Sequence, residues 1–189
     1  MGAVLDEIST DLAQWISEQP VFFVATAPSG ADRHVNLSPK GLVGIAVLGP
    51  HRVAFADLTG SGVETIAHLR ENGRITIMLC AFAGPPRIVR LYGIGTVHAL
   101  GSEGFAVLAG ELPALPGVRA VIDVEVTRIS TSCGFGVPLM DLVGARDDLV
   151  DWADRKGDDG LARYRETRNA HSIDGLAGFP VDEEAVDRA

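Results

Sequence analysis

Residues 55–74, F-A-D-L-T-G-S-G-V-E-T-I-A-H-L-R-E-N-G-R, set a run of small residues between an apolar strand and a short helix. Thr59, Gly60, Ser61 and Gly62 form a turn over which a ligand can approach the backbone closely. The first N–H groups of the following helix have no partner within it. Such a turn can cradle a phosphate, with Thr59 at its entry and Ser61, Gly62 and Thr65 around the anion. The same residues also read as a helix start and nothing more. Ser61 and Glu64 have the spacing of a capping box, and Asn72 with Gly73 that of a C-terminal stop.

A second candidate set lies upstream. Asn36, Ser38 and Lys40 alternate onto one face of a strand that ends N-L-S-P-K-G. The chain uses only two lysines, Lys40 and Lys156, which singles out Lys40 as a ligand contact; an exposed strand end is the plainer alternative. Arg87 and Arg90 are the nearest further cations for a phosphate. Their opposite parity lets only one face a given cleft unless a bulge intervenes. Arg74 suits the C-terminus of the preceding helix, where a cation meets the dipole. Cys133, in a Gly-rich loop with no His or Lys at fixed spacing, reads as a buried, inert thiol. His171, Ser172 and Asp174 lie too close along one segment to form a relay.

Composition limits what such sites can serve. The 189 residues suffice for one domain with a real core, and a 47% hydrophobic content excludes disorder as the main description. The net charge of −9 and the absence of a basic stripe argue against a nucleic-acid partner. The N-terminus shows no basic and apolar leader, and no apolar run is long enough to span a bilayer. The expectation is a cytoplasmic protein without a membrane partner. Cys80 and Cys133 form no C-x-x-C, and the five histidines are dispersed, so reduced thiols and no metal site are expected.

The elements that must position these residues follow from periodicity. Residues 4–19 carry apolar side chains at helical spacing up to Pro20. Residues 21–26 and 34–40 read as a hairpin around Pro28, Ser29 and Gly30, and residues 41–47 and 52–56 as two strands around Gly49 and Pro50. A helix over 62–71 leads into a strand over 74–82. A long strand over 87–100, a short helix over 103–110 and an alternating strand over 118–129 follow. Closely spaced strands with few intervening helices favour an antiparallel barrel over a parallel sheet. After Pro138 the chain turns polar and helical, over 146–156 and 159–168, and ends in a tail read as docking on the barrel or on a partner subunit. The expected organisation is residues 1–138 as barrel with an N-terminal helix, and 139–189 as a helical extension.

The order of hairpin, N-L-S-P-K-G, T-G-S-G, H-L-R-E-N-G-R, I-T-I-M-L-C-A-F and R-I-V-R-L-Y-G resembles the pyridoxamine 5′-phosphate oxidase-like superfamily, the flavin-binding split barrels. C-G-F-G-V-P at 133–138 and S-I-D-G-L at 172–176 look like a subgroup of unassigned bacterial members. The resemblance implies a mainly β fold, a six-stranded antiparallel split barrel with flanking helices. It also implies a homodimer with FMN, or in some branches the deazaflavin F420, held between subunits. The implied activity is flavin-dependent oxidoreduction, with hydride passed to or from an unidentified small-molecule substrate. An F420-dependent reductase and a flavin-free barrel acting as a binding protein are the alternatives. Lys40 stands where the family has a lysine beside the flavin ring, and Arg87 where it has a ring-contacting glutamine. Glu64 and Thr65 depart from the basic residues that open the family's phosphate helix. The phosphate would then rely on Ser61, Thr65, backbone N–H groups and an arginine from elsewhere.

Overall fold

β-Branched and aromatic residues alternating with polar ones fold into an eight-stranded antiparallel sheet in the computed structural model, which describes residues 2–180. The strands are β1 (Ala3–Leu5), β2 (Phe22–Thr26), β3 (Asn36–Lys40), β4 (Ile45–Gly49), β5 (Arg52–Leu58), β6 (Arg74–Cys80), β7 (Ile88–Ala99) and β8 (Val118–Ser132). Their order is β3-β2-β6-β7-β8-β5-β4, with β1 also pairing with β8. The helices are α1 (Thr10–Ser17), α2 (Glu64–Asn72), α3 (Glu103–Leu108) and α4 (Asp148–Arg168).

The sheet rolls up because the inward face of its central strands is apolar. Phe22, Val24, Ile75, Ile77, Leu79, Val89 and Leu91 are buried on consecutive neighbours β2, β6 and β7. Three strands separate β2 from β5 along the sheet, yet the Phe22 and Phe55 rings meet edge to face with centroids 5.4 Å apart. That contact requires the sheet to curl until its two ends face each other across the core. β3 and β4 end the strand order at opposite sides, so the barrel stays open at a seam. The mainly β split barrel with flanking helices is therefore present, with eight strands instead of six.

One of the two additional strands, β1, replaces part of an expected helix. Ala3, Val4 and Leu5 pair with Thr131, Ser130 and Ile129 of β8, and helix begins only at Thr10, where the Ser9 hydroxyl accepts the Leu12 N–H at 3.3 Å. Helical spacing over 4–19 could not disclose that β8 offers Val4 and Leu5 a sheet edge. The stop of α2 is as expected: Gly73 takes the left-handed conformation (φ 68°) and its N–H reaches Leu69 O at 2.9 Å. Its start is not. Val63 occupies the N-cap with no side-chain cap, and Glu64 bonds the distant Ile173 N–H, so Ser61 and Glu64 form no capping box. The two polar helical segments near the C-terminus join as α4 through Gly157 (φ 64°).

Phe55, with no solvent exposure, packs where the two ends of the sheet converge. Phe55→Ala is expected to cost about 3–5 kcal/mol and to lower the thermal midpoint by roughly 10 °C, measured by calorimetry.

Candidate functional site

At the seam, β3, the end of β5 and the first turn of α2 enclose a cavity of about 360 Å³. The β2–β3 register sets its first wall. Phe22 faces Lys40, Val24 faces Ser38 and Thr26 faces Asn36, so these three residues of β3 share the inward face with the buried positions of β2. Gly62 and Thr65 complete the lining from the loop and α2, together with Glu64, Asp57, Arg119 and Leu149 among others.

Asp57 is the electrostatic centre of this cavity. Lys40 Nζ lies 2.7 Å from its Oδ1, and Arg119 Nε lies 2.7 Å from its Oδ2. Arg119 Nη1 donates to Asn169 Oδ1 at 2.8 Å and its Nη2 to Gly62 O at 2.7 Å, while Asn169 Nδ2 donates to Gly60 O at 2.9 Å. Arg119 is aimed by a local irregularity: Asp57 pairs with Ala120 but Leu58 with Val118, leaving Arg119 as the extra residue of β8. Burial pushes the Asp57 carboxyl up. The Lys40 ammonium and Arg119 guanidinium, with the hydrogen bonds from both, outweigh this and hold its pKa at about 2.

A chain of uncharged polar groups runs beside this cluster. Ser38 Oγ donates to Asn36 Oδ1 at 2.9 Å, and Asn36 Nδ2 donates to Thr26 Oγ1 and to Thr65 Oγ1, both at 3.1 Å. Thr26 Oγ1 lies 3.0 Å from Nδ1 of His68, which is fully buried and whose Nε2 has no partner among the described residues. Burial pushes the His68 pKa down and keeps the ring neutral.

Of the residues singled out from sequence, Asn36, Ser38, Lys40, Gly62 and Thr65 thus meet at one cavity. Ser61 does not line this cavity but a neighbouring pocket that meets it at Gly60 and Leu149, with Trp152, Lys156 and Tyr164. Thr59 is buried, its hydroxyl accepting from Arg165 at 3.4 Å. Arg87 lies over the Trp15 ring at 4.9 Å and Arg90 donates to Ser132 Oγ at 3.2 Å; neither lines the cavity. Arg74 bonds the Asn72 side chain and Ala27 O. Cys133 is exposed and not the buried thiol expected, although the next residue, Gly134, is buried against the Arg87 backbone. Asp174 pairs with His34 at 2.7 Å and not with His171, and the Ser172 hydroxyl accepts from Leu176 N–H, so the tail docks on the barrel of its own chain. Asp57, Arg119, His68 and Asn169 escaped the sequence reading. The one available signal was an aspartate in the otherwise apolar strand V-A-F-A-D-L, which asks for a buried cation.

A larger apolar cavity of about 1190 Å³ adjoins the first through Gly41, Leu42 and Leu149, with Trp15, Phe82, Met140 and Leu142 in its walls.

Asp57→Asn leaves Lys40 and Arg119 without their carboxylate and is expected to destabilise the fold by about 3–5 kcal/mol in chemical denaturation. In the parent protein the depressed carboxyl contributes stability that is whole above its unfolded value of 3.8 and is lost as pH falls through about 2. That contribution is on the order of 2 kcal/mol. Acid titration of the Asn variant is expected to lack this component.

A profile of the pyridoxamine 5′-phosphate oxidase family matches residues 8–133. The pyridoxamine 5′-phosphate oxidase family protein ustO of Aspergillus flavus is 42% identical over 198 residues, covering 95% of this chain and 78% of its own. A HupZ variant from Group A Streptococcus superposes with a TM-score of 0.51 at 21% identity, over 66% of this chain and 99% of that one, a likeness of fold. The FAD binding protein from Mycobacterium smegmatis gives 0.48 at 14% identity, over 69% and 96%. Because the matched residues run from β2 through β8 and take in every residue of the smaller cavity except Leu149, this chain belongs to the pyridoxamine 5′-phosphate oxidase family.

Proposed function

We propose that this protein is a flavin-dependent oxidoreductase acting on a small molecule, with the flavin ring in the cavity at the seam. The observation that carries the reading is the convergence of Asn36, Ser38 and Lys40 with Gly62 and Thr65 on one cavity of about 360 Å³, within the size range of small-molecule sites. Family membership supports the same class of cofactor. The adjoining apolar cavity is the proposed place for the substrate.

The residues fit one part of an FMN molecule and not another. Lys40, Ser38 and Thr65 offer an uncharged heterocycle an ammonium and two hydroxyl groups to match its carbonyl and ring-nitrogen edge. A phosphate dianion is poorly matched. Both cations of the cavity, Lys40 and Arg119, are bound to Asp57, and Glu64 stands at the start of α2. When bound, a flavin supplies the hydride chemistry, and the part of this chain is to hold and orient it. Glu64 also favours the second reading, a flavin-free barrel that serves as a binding protein.

A homodimer is part of the proposal. Phe135, Leu139, Leu142 and Val143 are exposed along 133–147, a segment without helix or strand, and a second copy would cover them. No helix among the described residues is long and apolar enough to cross a membrane, and a cytoplasmic location remains part of the proposed reading.

Purified protein is expected to show a flavin absorbance band or to acquire one on titration, and a colourless protein that takes up neither flavin nor F420 decides for the binding-protein reading. Sedimentation is expected to give a dimer, and a monomer of 19.9 kDa at micromolar concentration counts against it. Lys40→Met is expected to weaken flavin uptake and lower the reduction potential of the bound flavin. It should also cost about 1–3 kcal/mol of stability, since Asp57 loses one of its two cations. Unchanged uptake and potential with that stability loss would make Lys40 a structural residue.

A further inference from the structure

We propose that Glu64 serves as a built-in anion at the start of α2, so that the cavity takes a flavin without a charged phosphate, of the riboflavin type, in preference to FMN. The inference rests on the flavin reading above.

Three arrangements converge on it. The first is the position of Glu64 itself. A Cβ at Gly62 would collide with Glu64 Oε2, so the carboxylate folds back over the glycine whose open backbone made the turn suitable for a phosphate. Its Oε1 accepts the Ile173 N–H at 3.2 Å, which ties the carboxylate to the C-terminal tail. A negative charge held at the first residue of a nine-residue helix already compensates the positive end of the dipole.

The second is the orientation of the turn. Gly60 O and Gly62 O accept from Asn169 and Arg119, so the interior reads the loop by its carbonyl groups. The third is charge. Arg119 spends Nε on Asp57, Nη1 on Asn169 and Nη2 on Gly62, leaving none of its three nitrogens without a protein partner. With Lys40 and Arg119 set against Asp57 and Glu64, the cavity carries no formal net charge. Arg165, on the Thr59 hydroxyl, does not line it, and Lys156, held against Trp152 and Tyr164, lines the neighbouring pocket on the Ser61 side of the turn. A phosphate entering at α2 therefore meets a fixed carboxylate without a free cation. An uncharged ribityl end can donate its hydroxyl hydrogens to that carboxylate and meets the hydroxyl groups of Ser38 and Thr65 without charge repulsion.

The test is a titration of the full chain with riboflavin and with FMN, followed by flavin fluorescence at low and at raised salt. Riboflavin is expected to bind more tightly, and salt is expected to strengthen FMN binding by screening Glu64 while leaving riboflavin nearly unmoved. Glu64→Gln keeps an acceptor for Ile173 N–H and removes the charge. It is expected to shift the preference toward FMN by about tenfold. FMN binding more tightly than riboflavin in the parent protein, with salt weakening it, overturns the inference and leaves the flavin reading intact. If neither flavin binds, the flavin reading itself fails and the inference falls with it. The salt series uses the parent protein alone and decides the matter even if the Gln variant fails to fold.

Discussion

The buried carboxylate of Asp57 is the constraint on which the architecture of the seam depends. A lone charge in that position would be expelled or neutralised, and the strand carrying it could not pack. Lys40 from β3 and Arg119 from β8 remove that penalty together, so the two strands are held to β5 by a requirement and not by a mild attraction. The sheet order leaves β3 without hydrogen bonds to β5, and the contact of Lys40 with Asp57 bridges them across the gap. The cavity exists because this bridge is made of side chains. A backbone ladder in the same place would close the barrel and leave no room.

The same network explains why the C-terminal region packs where it does. Arg119 has hydrogen-bonding capacity left after meeting Asp57, and Asn169, itself fully buried, takes it up just beyond α4. From there the tail turns back over α2. Phe179 N–H bonds Asn169 O and Gly178 O accepts from Arg70, while Asp174 holds both the backbone N–H and the ring of His34 near the start of β3. The loop over 60–62 is thus clasped from both sides, and its carbonyl groups are fixed before any ligand arrives.

How much of this was legible in the sequence follows from the range of the interactions. Strands and their facing residues are local matters, so the parity of Asn36, Ser38 and Lys40 and the stop at Gly73 could be read directly. The pairing of Val4 and Leu5 with β8 depends on residues more than a hundred positions away. So does the choice of Glu64 between Ser61 and Ile173. Arg119 was hidden for another reason: its aim depends on a register shift, and strand periodicity has no means of announcing an extra residue. Only their charge marks Arg87 and Arg90 as phosphate partners in the sequence. Charge alone carries no direction, and Trp15 and Ser132 take them up elsewhere.

The hydroxyl chain determines what the cavity wall offers a ligand once its charges cancel. Asn36 gives both amide hydrogens to Thr26 and Thr65 and receives the hydroxyl hydrogen of Ser38. Thr26 Oγ1, already an acceptor from Asn36, also lies 3.0 Å from His68 Nδ1, a contact in which either group can donate. Burial pushes the His68 pKa down and so favours the uncharged ring. Two consequences reach the cavity. Thr65, which accepts from Asn36, keeps its hydrogen free to donate, and Ser38, which donates to Asn36, keeps its lone pairs free to accept. One wall therefore presents a donor and an acceptor in fixed positions, beside an ammonium already balanced by Asp57. On the proposed reading, such a surface selects a ring by the pattern of its hydrogen-bonding groups more than by its charge.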